Sequence, residues 1–241
     1  MLDSGERLRF TQTLKEGDWK VIILLLSVPI ILLLYIYHGM ADTFGRYFSH
    51  LSNYYYFDIY RYGYHFLATF ILLFLLPLII VKLVFKKKLR DYGLTLGDKK
   101  YGFLFTAIVI PLIVTPIIFL GSRMPAVRAV YPLSKLVQDN VSVFLLYELF
   151  YILLYYAGWE FFFRGYMLFG LREKFGDSYA ILLQLIPYSL LHFNKPQSEF
   201  AGSIVLGIVL GYLALRTRSV LYPFIIHSYI GISTDLFITF L

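Results

Sequence analysis

The stretch AGWEFFFRGY, Ala157 to Tyr166, sets an acid, Glu160, and a base, Arg164, inside one of the most apolar regions of the chain. A charge in hydrocarbon is costly and is kept where it is paired or used. The two residues are four apart, so a helix places them on one face within pairing reach. The surrounding apolar run covers roughly 141–170, and about 20 helical residues at about 1.5 Å each are enough to cross a bilayer core. The segment therefore reads as a membrane-crossing helix with a possible ion pair inside it.

The rest of the chain agrees with that reading. Of 241 residues, 59% are hydrophobic and only 15% are charged, more apolar side chain than a soluble domain of this length can hide. Apolar runs of spanning character fall at 19–39, 64–85, 101–121, 141–170, 179–193, 201–215 and 220–240. The fold class expected is all-α, a polytopic transmembrane bundle of about seven spans (six to eight). No repeat, low-complexity tract or linker divides it, so 1–241 reads as a single integral membrane domain with its motif-bearing core at about 141–241. There is no cysteine, which removes thiol nucleophiles, disulfides and thiolate metal sites. The first 18 residues mix acids and bases before an apolar run too long for a signal-peptide core, and read as a short cytosolic lead-in.

Topology follows from the basic residues. With the N-terminus inside, sixteen Lys and Arg fall on the inner side and six on the outer. That bias favours a cytoplasmic N-terminus and an external C-terminus. It also accounts for the net charge of +7 without invoking nucleic acid. The lipid bilayer is the partner implied. The tyrosine-rich segment 46–65 suits an outer headgroup belt, and Gly207 with Gly211 suits close helix packing.

Few ionisable groups remain at depth: Glu148, Glu160, Arg164, His192, His227 and Asp235. Counted from the inner end of each span, Glu160 lies roughly 15–18 Å deep, His192 roughly 20 Å and His227 roughly 10 Å. An acid and two imidazoles thus share the inner half of the bilayer. Such a set suggests proton transfer, metal binding or hydrolysis. Zinc is conceivable but not favoured, because the closely spaced His-Glu-x-x-His signature is absent. Glu148 lies about 18 Å further out on a continuous helix and reads as an interfacial acid. Asp235 could approach the site from the outer side. Arg164 either pairs with Glu160, tying up the carboxylate, or reaches toward the headgroups and leaves it available.

These residues resemble the CAAX prenyl protease and bacteriocin-processing (CPBP, Abi) family of intramembrane glutamate peptidases. Its three motifs are Glu-Glu-x-x-x-Arg, Phe-x-x-x-His and His-x-x-x-Asn/Asp. Here they read Trp159-Glu160-Phe161-Phe162-Phe163-Arg164, then Tyr188 to His192, then His227 to Gly231. The likeness covers 157–235 and extends more loosely back to about 89. Two positions depart. The first motif glutamate, usually taken as the water-activating base, is Trp159, and the Asn/Asp assisting the oxyanion is Gly231.

The resemblance implies an intramembrane endopeptidase acting on a peptide or protein substrate in a bacterial plasma membrane, without a cofactor. Catalysis would fall to Glu160, His192 and His227, supported by Arg164, Asp235 and Asn194. The alternatives are a catalytically silent binding or immunity-type relative, which Trp159 favours, and a proton-coupled transporter, for which no inverted repeat is visible.

Overall fold

The computed structural model describes residues 19–241; the lead-in read from the first 18 residues lies outside them. All regular structure among the described residues is helical. Six helices are long and apolar enough to cross a membrane. They are α1 (Trp19–Gly39), α3 (Phe57–Val84), α4 (Lys99–Gly121), a 50-residue helix Val141–Leu190, α8 (Gln197–Thr217) and α9 (Leu221–Phe240). Two short helices, α2 (Ala41–Tyr47) and α5 (Pro125–Val130), lie in connections. This is an integral membrane protein.

The 50-residue helix is not one span. At Gly176 the backbone leaves helical geometry (φ 76°, ψ 171°), a conformation that glycine adopts without steric cost. Beyond it the chain doubles back. Trp159 meets His192 with ring centroids 5.7 Å apart, and Phe163 meets Tyr188 at 5.2 Å, pairs placed symmetrically about Gly176. We therefore treat 141–175 as α6 and 177–190 as α7, two arms of a hairpin. Seven segments result, matching the count of apolar runs.

The first arm, α6, is the centre of the molecule. Phe161, Phe162, Phe163, Arg164, Tyr166 and Leu168 have no exposed surface. Around them pack Leu24 and Ile31 of α1, Leu73 and Val81 of α3, Tyr188 of α7 and Ala214 of α8. Outward faces are apolar instead, such as Leu26, Ile30 and Leu33 on α1 and Leu112, Ile117 and Leu120 on α4. Apolar surface facing outward is what lipid selects.

Small residues let the helices close on α6 and α7. A side chain at Gly207 would collide with Leu185 and crowd Tyr188, and at Gly211 it would touch Ile181 and Gln184. Gln184 Nε2 donates to the Gly207 carbonyl at 3.0 Å across the same seam. The small-residue pair is therefore the α7–α8 packing face expected from the sequence. Gly158 does the same for α3: a Cβ there would lie 2.8 Å from the Thr69 carbonyl oxygen, which is backbone and has little freedom to yield. This contact fixes the height of Trp159 and Glu160. Gly158→Val is therefore expected to lower unfolding stability by about 1–3 kcal/mol. Gly121→Ala, facing open space, should change it by less than about 0.5 kcal/mol. Thermal unfolding in nanodiscs reads both, and equal midpoints for the two variants would contradict the packing argument.

Candidate functional site

Glu160 and Arg164 sit one turn apart on α6, both buried, and Arg164 Nη1 donates to Glu160 Oε1 at 3.1 Å. Of the two fates open to Arg164, pairing is the one realised. Its guanidinium carbon, Cζ, lies 4.0 Å from the centroid of the Tyr188 ring on α7. A cation over an aromatic face gains electrostatic attraction that desolvation strengthens. The charge is thus held between a carboxylate and a ring.

The same oxygen of Glu160 receives a second donor. His227, from α9, places Nδ1 2.5 Å from Glu160 Oε1. An ionised carboxylate only accepts, so the proton is assigned to Nδ1 and the Nε2 lone pair points away from the acid. A carboxylate behind an imidazole fixes its tautomer and stabilises its protonated form. His192, in the turn after α7, is oriented differently: its Nδ1 lies 2.8 Å from the Tyr188 carbonyl oxygen, one turn back. A carbonyl also accepts, so here too Nε2 carries the lone pair. Both imidazoles lie against the Tyr188 ring, at 5.0 Å for His192 and 6.3 Å for His227. The acid and two histidines that the depth argument grouped are therefore brought together by three elements.

The two departures from the motifs have physical counterparts. Trp159 stacks on Tyr155 at 5.5 Å and meets His192 edge-on at 5.7 Å, so an indole wall stands where the motif carries a carboxylate. At Gly231, one turn after His227, a Cβ would overlap the hydroxyl of Tyr156. The Tyr156 ring packs edge-on against His227 at 4.9 Å. Glycine at 231 is therefore required by Tyr156, whose hydroxyl lies where a side chain from 231 would begin. The sequence reading missed Tyr156. The available signal was a glycine at a motif position that normally carries a polar side chain.

Asp235 and Glu148 form a second polar group. Both are buried and lie within electrostatic reach of each other across α9 and α6. None of their four carboxyl oxygens has a hydrogen-bond partner among the described residues. Glu148 is thus enclosed in the bundle and is not the interfacial acid expected from its distance along α6. Asp235 lies two turns beyond His227, roughly 12 Å further along α9. Asn194, expected as a supporting residue, is exposed in the turn after His192. Among the described residues no three His, Cys, Asp or Glu side chains converge as a metal-ligand set.

The buried Glu160–Arg164 pair predicts non-additive mutational costs. Arg164→Met leaves Glu160 without its main counter-charge and is expected to cost about 3–5 kcal/mol. Adding Glu160→Gln should recover most of that loss, because a buried pair removed together leaves no naked charge. Thermal unfolding of both single variants and the double variant in nanodiscs measures the coupling; additive losses would contradict it.

With this geometry in hand, residues 140–232 match the family model described as Rce1-like, type II CAAX prenyl endopeptidase. No curated protein and no solved structure matches the chain. The matched span begins at the helix-capping Asn140, whose side chain accepts from the Ser142 and Val143 amides, and ends just past Gly231. It contains Glu160, Arg164, His192 and His227. Residues 140–232, which lie within the membrane bundle, are thus similar to the Rce1-like family.

Proposed function

We propose that this protein is an intramembrane endopeptidase in which His227, backed by Glu160, is the general base that activates water. The observation carrying this reading is the 2.5 Å contact between His227 Nδ1 and Glu160 Oε1, which aims the basic nitrogen away from the acid. Glu160, held by Arg164 and His227 through one oxygen, acts through the imidazole rather than on water directly. This revises the expected division of labour, in which Glu160 itself took the proton.

In the proposed reaction, water lies between His227 Nε2 and His192 Nε2. Its proton passes to His227 as the oxygen attacks the scissile carbonyl carbon. The resulting imidazolium is stabilised by Glu160. Tyr156 O–H is placed to donate to the oxyanion, taking the part of a motif Asn or Asp. Collapse breaks the C–N bond, and the proton on His227 moves to the leaving amine. The bias of Lys and Arg supports a cytoplasmic N-terminus and a site in the inner half of a bacterial plasma membrane. The substrate class is a membrane-presented peptide or protein.

A second reading, a catalytically silent binding or immunity-type relative, is favoured by one observation: Trp159 presents an indole to His192 where a base would stand. The two readings separate in one experiment. Peptide C-termini are compared in cells expressing the wild type, His227→Ala, His192→Ala and Tyr156→Phe, with membrane insertion checked for each. An endopeptidase produces new C-termini with the wild type. The histidine variants should reduce them on the order of 100- to 10,000-fold. Tyr156→Phe, which removes a single donor, should cost on the order of 100-fold. An unchanged profile, with partner binding that survives all three substitutions, would overturn the enzymatic reading.

A further inference from the structure

At the inner end of the bundle a cleft of about 380 Å³ is lined by Arg90, Arg172, Arg218, Thr95, Gly97 and Phe169, with Asp91 at its edge. Three arginines from three separate parts of the chain meet there. Two of the charges are partly answered. Arg172 is held by Asp177 at 2.6 Å, and Arg90 lies 3.8 Å from Asp91. Arg218 makes no ion pair among the described residues.

Arg218 is also held in an uncommon backbone conformation. It follows α8 with φ 56° and ψ 34°, the left-handed region that a helix end ordinarily gives to glycine or asparagine. A side chain there costs about 1–2 kcal/mol. The turn is nonetheless rigidly built. Asp98 N donates to the Thr217 carbonyl at 2.9 Å, Val220 N to the Gly93 carbonyl at 3.0 Å, and Tyr222 Oη to the Leu96 carbonyl at 2.7 Å. The Asp98 carboxylate, which caps α4 at the Tyr101 amide and pairs with Arg216 at 2.9 Å, is held below the ordinary carboxylate range by those two donors. The cleft walls are therefore fixed before any ligand arrives.

Guanidinium groups recognise phosphate through paired, charge-assisted hydrogen bonds. A basic cleft between helices at the headgroup level of a membrane protein is placed to take a lipid phosphate. We propose that this cleft binds the phosphate of an anionic phospholipid headgroup, with Arg218 and Arg90 as its principal ligands and Arg172 at its wall. Phe169, which also lines the cleft, ends the π-helical stretch Phe161–Phe169 that carries Arg164. An occupied cleft thus braces the inner end of the helix bearing the site.

The test uses the full chain in nanodiscs of phosphatidylcholine, with or without phosphatidylglycerol, and in phosphatidylcholine discs with millimolar inorganic phosphate. Thermal unfolding and native mass spectrometry of retained lipid are read together. The expected result is stabilisation and lipid retention with phosphatidylglycerol. Arg90→Gln/Arg218→Gln should reduce retention at least tenfold, while Lys88→Gln/Lys100→Gln, which removes the same charge from exposed sites outside the cleft, leaves it within twofold. Equal retention by the arginine variant and the wild type would overturn the proposal, as would equal losses in both double variants. Stabilisation by inorganic phosphate alone to the same extent would overturn the lipid source.

Discussion

A single buried carboxylate oxygen, Glu160 Oε1, organises this bundle. It accepts from Arg164 on its own helix and from His227 on α9, and both donors are needed to keep an acid at that depth. The attraction ties α6 to α9, while the Arg164 guanidinium leans on Tyr188 and so ties α6 to α7. Tyr188 in turn carries His192 through its carbonyl oxygen. Remove the acid and three helices lose their common reference point. Such a centre adds little net stability, because desolvating the charges offsets most of what their pairing supplies. Its value lies in orientation: it sets which nitrogen of His227 faces outward.

The aromatic wall beside this centre stands where the chain departs from the family motifs. Trp159 stacks with Tyr155, and Tyr156 fills the space that Gly231 leaves open. A side chain at 231 would meet the tyrosine hydroxyl, so Tyr156 keeps that position to glycine, and its ring packs beside His227. The buried carboxyls of Glu148 and Asp235 lie on the same two helices that carry Glu160 and His227.

Much of this was legible in the residues alone. The helical membrane class and the seven segments follow from apolar run lengths, because every backbone polar group in lipid must be satisfied within its own helix. The grouping of Glu160 with His192 and His227 follows from counting rise per residue along separate spans, each from its own end. Pairing across helices was not legible in the same way. Depth along α6 puts Glu148 far from the site, yet says nothing about Asp235 coming within reach of it from α9. Tyr156 was hidden for a similar reason: its partner is a missing side chain 75 residues away. Asn194 follows His192 in sequence but is exposed in the turn, which its position in the sequence did not show. The hairpin at Gly176 separates the apolar runs 141–170 and 179–193 into two arms.

The claim that Glu160 acts by orienting His227 is open to direct spectroscopic measurement. Nitrogen-15 NMR of histidine-labelled protein in nanodiscs, with His227 assigned by its loss in His227→Ala, reports which ring nitrogen carries the proton. The account predicts a protonated Nδ1 and an unprotonated Nε2 at His227 in the wild type, with that tautomer lost in Glu160→Gln while the His192 signals stay in place. A His227 protonated at Nε2, or a tautomer indifferent to Glu160→Gln, would contradict it.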